Sequence, residues 1–144
     1  MADIEKNIII KADAERVYKT LLDVTNYPKI APGVQTVMPM GENLTRWKVG
    51  GPLGSTLEFS VEMTRIEPNQ RIGWSTKDLP GDITTSGQIV IAPLPDNQTQ
   101  VSLSMNYDSG GLQSLLGGGI EDAVESTLRN FKSYLEGMPR RFEL

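Results

Sequence analysis

The residue types that most enzymes use for acid–base and nucleophilic chemistry are missing from this chain: its 144 residues include no histidine and no cysteine. That excludes Ser/His triads, thiol nucleophiles, disulfides and imidazole- or thiolate-ligated metal sites. The carboxylates do not make an acid–base pair. Glu58 and Glu62 alternate with Phe59 and read as a solvated face, while Glu121, Asp122 and Glu125 open a helical segment whose dipole they suit. Neither Gly50-Gly51 nor Gly117-Gly118-Gly119 leads into Gly-Lys-Ser/Thr, so no phosphate loop is present. Two groups remain for chemistry on a ligand. Tyr107 offers a phenol that can donate to a carbonyl or act as a general acid. Arg65, if the alternation of Leu57, Phe59, Val61 and Met63 continues, points inward and can receive a carboxylate or enolate oxygen. Ile66 then falls on the wrong face, unless a bulge resets the register and leaves Arg65 in solvent.

The larger signal is apolar. Strand parity directs Trp47, Phe59, Met63, Trp74, Met105 and Tyr107 to one face, together with Met38 and Met40. Methionine is flexible and fills irregular apolar surfaces, so such a set either packs a core or lines an adaptable cavity. Leu112, Leu115 and Leu116 lie within the glycine-rich stretch 109–119, which is either a mobile apolar flap or a passive connector.

These side chains need a scaffold. Ile4, Ile8 and Ile10 share parity and define a first strand. Asp13 caps a short helix carrying Ala14, Val17, Tyr18, Leu21 and Leu22 on one face. Asn26-Tyr27-Pro28 and Ala31-Pro32-Gly33 break the helical pattern. From 34 to 108, turn clusters separate six segments of strand character, and such short connections make an antiparallel meander. The segment 55–66 is long, about 40 Å at roughly 3.3 Å per residue, and must twist and curve. A last helix, Ile120 to Glu136, carries Ile120, Val124, Leu128, Phe131 and Leu135 as a stripe about 25 Å long at roughly 1.5 Å per residue. Only the inner face of the curved sheet matches that stripe in size. The fold class expected is therefore α+β: a long curved antiparallel sheet of about seven strands wrapped around a C-terminal helix, with a short N-terminal helix, as one domain over 1–144.

Eighteen acidic against fourteen basic side chains give a net charge of −4, the wrong sign for a surface that tracks phosphates. Nucleic acid is not an expected partner. The pair Arg140-Arg141 is too short for a polybasic anchor. Ile8-Ile9-Ile10 is far below the roughly 20 residues of a membrane span, and the first residues lack an export pattern. The expectation is a cytoplasmic protein with no stable membrane anchor, no metal and no cofactor.

The order strand, small helix, six-stranded meander, long helix resembles the helix-grip fold of the START-like (SRPBCC) superfamily. Particular residues resemble its polyketide cyclase/dehydrase and lipid-transport-like group. They are Ala12 to Tyr18, followed by Leu22-Asp23 and Asn26-Tyr27-Pro28; Arg46-Trp47; Gly51-Pro52-Leu53-Gly54; Pro68 to Trp74; Tyr107 before Gly110-Gly111; and Asn130 to Glu136. Phe59 departs from the tryptophan frequent in that long strand, and Gly117-Gly118-Gly119 replaces a more helical stretch. The resemblance implies an internal cavity for a hydrophobic small molecule such as a lipid, isoprenoid or aromatic polyketide, lined by Met38, Met40, Trp47, Phe59, Met63, Trp74, Met105, Tyr107, Leu112, Leu115 and Leu116. Three readings follow: a binding or carrier domain; a polyketide cyclase or dehydratase that works by positioning its substrate, with Tyr107 or Arg65 polarising a carbonyl; and a protein-interaction domain with a filled core. The fold hosts carriers and catalysts alike.

Overall fold

The computed structural model describes residues 2–31, 33–50, 54–79, 84–107 and 120–137. Seven strands run β1 (Ala2–Ile10), β2 (Val34–Gly41), β3 (Leu44–Gly50), β4 (Thr56–Glu67), β5 (Arg71–Lys77), β6 (Thr85–Leu94) and β7 (Gln98–Tyr107), with helix α1 (Ala14–Leu22) after β1 and helix α2 (Ile120–Glu136) at the end. They form one antiparallel sheet in the order β1-β7-β6-β5-β4-β3-β2. The meander follows from its tight turns. Asn43, Asn69, Asp96 and Asn97 take positive φ there, a conformation these short polar side chains tolerate.

Helix α1 starts where its sequence says it should. The Asp13 side chain accepts from the Arg16 N–H at 3.3 Å, and Val17, Tyr18 and Leu21 are buried. A 3-10 turn, Val24–Lys29, follows and contains Pro28. Helix α2 has the extent expected from its apolar stripe, and buries Ile120, Leu128, Phe131 and Leu135.

Cross-strand register sorts the faces. Ile4, Lys6, Ile8 and Ile10 pair with Met105, Leu103, Val101 and Thr99, and those four pair with Gly87, Ile89, Ile91 and Pro93. Ile89 and Gly87 pair with Ile72 and Trp74, which pair with Ile66 and Met63. This is the face that packs on α2.

The two halves of α2 are held differently. Its C-terminal half is bolted to the start of the chain: Glu136 Oε2 accepts from the Lys11 N–H at 2.9 Å and from Lys132 Nζ at 2.6 Å, and Lys132 Nζ also donates to Ile9 O at 2.8 Å. Arg16 Nη2 donates to Leu135 O at 3.2 Å, a cation at the carbonyl end of the helix dipole. Asn130 Nδ2 donates to Ile30 O at 2.9 Å, and Asn26 Nδ2 donates to Tyr134 Oη at 3.1 Å. The N-terminal half has an exposed clasp, in which Lys6 Nζ lies 2.9 Å from Glu121 and 3.8 Å from Glu125.

Two outcomes test this account. Leu135→Ala removes a fully buried side chain and is expected to cost about 2–5 kcal/mol in urea unfolding. Burial works to raise the Glu136 carboxyl, but hydrogen bonds from Lys132 and the Lys11 N–H, with their charges, hold it below its ordinary value of 4.5. Its stabilisation is therefore present above that value and is lost as pH falls through the lowered one. Unfolding of Glu136→Gln measured from pH 6 to 3 should decline less steeply than wild type, with a difference within about 1 kcal/mol because the group is solvent-screened.

Candidate functional site

The interior between sheet and helix is where the candidate ligand-binding residues gather, and its packing is discontinuous. One buried cluster joins Ile10, Val17, Leu21, Ile72, Ile91 and Val101 to Leu128, Phe131 and Leu135. A second joins Ile4, Leu57, Leu79 and Tyr107 to Ile120. Leu103 and Val124 touch both clusters, yet both are only half-buried. The two clusters therefore meet along a half-buried seam, bridged by Leu103 and Val124, beneath the N-terminal half of α2.

Five of the expected residues edge that seam. Met63 and Trp74 pack against the first cluster, Phe59 and Met105 against the second, and Trp47 stacks on Phe59 with centroids 6.3 Å apart and planes at 19°. All five are half-buried. Tyr27 supports this wall from the 3-10 turn. Its ring meets Trp47 edge-on at 5.4 Å and Phe131 at 5.1 Å. Its hydroxyl donates to Leu21 O at 2.6 Å, and burial, reinforced by the charge of Asp23, pushes its ionisation well above the ordinary tyrosine value. Tyr27 thus stays a neutral donor that locks the turn against the wall. Trp47 is fixed in turn by Nε1–H donating to Thr45 Oγ1 at 2.8 Å. Alongside lies a pocket of about 220 Å³ lined by Leu22, Val24, Leu44, Thr45 and Met63.

Tyr107 is 5% exposed, in the row of Thr85, and its phenol has no hydrogen-bond partner among the described residues. Thr85 Oγ1 donates to Asn106 O at 3.0 Å, and Thr76 Oγ1 bonds both the N–H and the C=O of Thr85. Tyr107, Thr85 and Thr76 thus form a polar patch of the inner wall at the end nearest the start of α2.

Two expectations of direction, for Met38 and Met40, are corrected, and the open alternative for Arg65 is decided in favour of the bulge. Met38 and Met40 are 59% and 58% exposed and do not face the interior. Val34 pairs with Val49, but a register shift before Thr36 brings Val37, not Met38, opposite Trp47 and leaves Met38 beside Arg46. One extra residue reverses every side chain that follows. The same device acts in β4. A shift between Met63 and Arg65 turns Ile66 inward, opposite Ile72, and sends Arg65 out. Arg65 is 56% exposed and paired with Glu67, so it cannot polarise a ligand inside. Leu112, Leu115 and Leu116, with the stretch 109–119, lie outside the described residues.

Two contributors escaped the sequence reading. Lys6, in the isoleucine-rich parity of β1, is an inward-row lysine whose ammonium swings out to Glu121 and Glu125; the hydrogen bond to Glu121 holds its proton more tightly than usual. Gly87, a glycine inside a strand, faces Trp74 across the ladder. An interior strand glycine is itself a signal of close approach. On the opposite face of the sheet, Ser75, Ser86, Gln88, Ser104 and Asn106 floor an open depression of about 610 Å³. Its lining also takes in Ile4, Trp74, Gly87 and Met105 of the wall row, but its floor is formed by side chains of the opposite parity. Among the described residues, no cluster of three or more carboxylates could hold a metal ion, and no helix is long and apolar enough to cross a membrane.

A curved seven-stranded antiparallel sheet gripping a C-terminal helix, with an apolar aromatic wall between them, is the helix-grip architecture of START-like proteins. The chain belongs to the polyketide cyclase/dehydrase and lipid transport family, whose model matches residues 1–136. An uncharacterized 17.2 kDa protein of Streptomyces lincolnensis is 24% identical over 139 residues, covering 94% of this chain and 91% of its own. Among solved structures, a START superfamily protein from Mycobacterium smegmatis superposes with a TM-score of 0.77 at 15% identity, covering 95% of this chain and 99% of that one. The di-domain ARO/CYC BexL of the BE-7585A biosynthetic pathway gives 0.73 at 23% identity, over 94% of this chain and 47% of that one.

Unequal anchoring of α2 has a measurable signature. Lys6→Glu replaces the clasp with repulsion, and amide exchange is expected to quicken over residues 120–125 while residues 128–135 keep their protection. Equal acceleration along the helix would show that it is held as one rigid unit.

Proposed function

We propose that this protein binds a hydrophobic small molecule in the seam between the sheet and the N-terminal half of α2. One observation carries the reading: Trp47, Phe59, Met63, Trp74 and Met105 face the interior yet remain half-buried, in a chain whose flanking clusters bury their apolar side chains almost fully. A core built only for stability closes over such residues, because each is worth about 1.5–3 kcal/mol when buried. A guest that covers about 200 Å² of this wall gains about 5 kcal/mol at 25 cal/mol per Å². The Tyr107 phenol at the polar end gives that guest an orientation by donating to a carbonyl or carboxylate oxygen.

Carriage is favoured over catalysis. The cyclase reading used Tyr107 or Arg65 to polarise a carbonyl, and Arg65 is on the outer face in an ion pair. A lone phenol suffices to orient a ligand. The filled-core reading is opposed by the same half-buried wall.

The chain has two tryptophans, Trp47 and Trp74, both on this wall, so their emission reports directly on occupancy. Titration with cis-parinaric acid is expected to quench tryptophan emission saturably at one ligand per chain, and native mass spectrometry to show the matching adduct. Unchanged emission with no adduct overturns the proposal. Tyr107→Phe is expected to weaken this fatty acid about two- to tenfold, the worth of one hydrogen bond, and to leave a hydrocarbon without an oxygen, pyrene, unaffected.

A further inference from the structure

The inner-wall row that crosses the seam reads Met63, Trp74, Gly87, Met105, Ile4 from β4 to β1. Its central position has no side chain, and the neighbouring indole occupies the vacant place. A Cβ built on Gly87 would stand 2.6 Å from Trp74 Cη2 and 2.7 Å from Trp74 Cζ2. The six-membered ring of Trp74 therefore lies across the backbone of β6 instead of standing off the sheet. Glycine inside a strand weakens it and marks a place where another group comes close. Here that group belongs to the wall itself.

The geometric consequence concerns the height of the seam. Packed layers are separated by about 10 Å, so an indole standing off the sheet would fill most of the gap to α2 and join the two buried clusters into one. Laid flat, it leaves the gap open and presents a broad apolar floor. We infer that the Gly87–Trp74 pair sets the depth of the interior and thereby the thickness of the ligand it admits, with Gly87 as the specificity-determining residue acting through Trp74. This rests on the binding function proposed above and adds a discrimination to it: broad ligands need the gap kept clear of an upright indole, slender chains do not.

The test uses two fluorescent probes of different cross-section, cis-parinaric acid as the slender one and 1-anilinonaphthalene-8-sulfonate as the broad one, titrated into the full chain. Gly87→Ala is expected to lift the indole, weakening the broad probe at least tenfold and the slender probe less than threefold. The added methyl also meets Ser104 O at 2.5 Å, so circular dichroism accompanies it, and Trp74→Leu supplies a variant free of that clash. Trp74→Leu is expected to keep or gain affinity for the broad probe. Where the alanine variant folds, combining the two substitutions should restore much of what Gly87→Ala alone removes, a non-additivity that marks action through the indole. Wild type that binds neither probe refutes the binding reading itself. Wild type that binds both, with Gly87→Ala weakening them equally or not at all, or with Trp74→Leu losing the broad probe, overturns this inference and leaves the binding reading standing.

Discussion

The structure depends on one requirement: the apolar stripe of α2 must be covered, and only the concave face of the sheet is large enough to cover it. Leu128, Phe131 and Leu135 satisfy it completely, against Ile10, Ile72, Ile91 and Val101. Ile120 satisfies it at the other end, against Ile4, Leu57 and Tyr107. Between them Val124 packs against both clusters but stays half-buried, and there the proposed site lies. Polar contacts reinforce this division. Hydrogen bonds to Lys11, Arg16, Asn26 and Ile30 hold the C-terminal half, whereas the N-terminal half has the solvent-exposed clasp of Lys6.

That division lets one fold be both stable and receptive. Burial concentrated at the C-terminal end of α2 secures the domain, so the wall of Trp47, Phe59, Met63, Trp74 and Met105 need not close on itself. Tyr27 links the two regions, since one ring touches both the wall and Phe131. A binding site built from such a wall has little chemistry of its own. The selectivity proposed for it rests on shape, on the height allowed by Gly87 and on a single phenol.

Legibility in the sequence varied with how local the deciding force was. Phe59 and Met63 could be placed inward because β4 alternates without interruption up to Met63. Met38 could not, because it lies beyond a bulge, and a bulge answers to the neighbouring strand; for Arg65 the clash of parity with Ile66 signalled a bulge without fixing it. In β2 the misreading is complete: Val34, Thr36, Met38 and Met40 share parity, and the shift after Val34 turns the later ones out. Thus an uninterrupted alternation is a trustworthy guide only as far as the first register shift. The flat pose of Trp74 was equally hidden, since it depends on the residue opposite it thirteen positions later in the chain.

Composition and periodicity by themselves determined the seven strands and two helices, the helix over Ile120–Glu136, the apolar character of the inner wall and the absence of imidazole and thiol chemistry. These are properties of single segments, set by local alternation and by residue type. Tertiary structure alone decided that Arg65, Met38 and Met40 lie outside, that Lys6 clasps α2, and that the core parts at the row of Gly87. Each of those outcomes is set by pairing between distant strands, where the position of one backbone determines the space left for another's side chain.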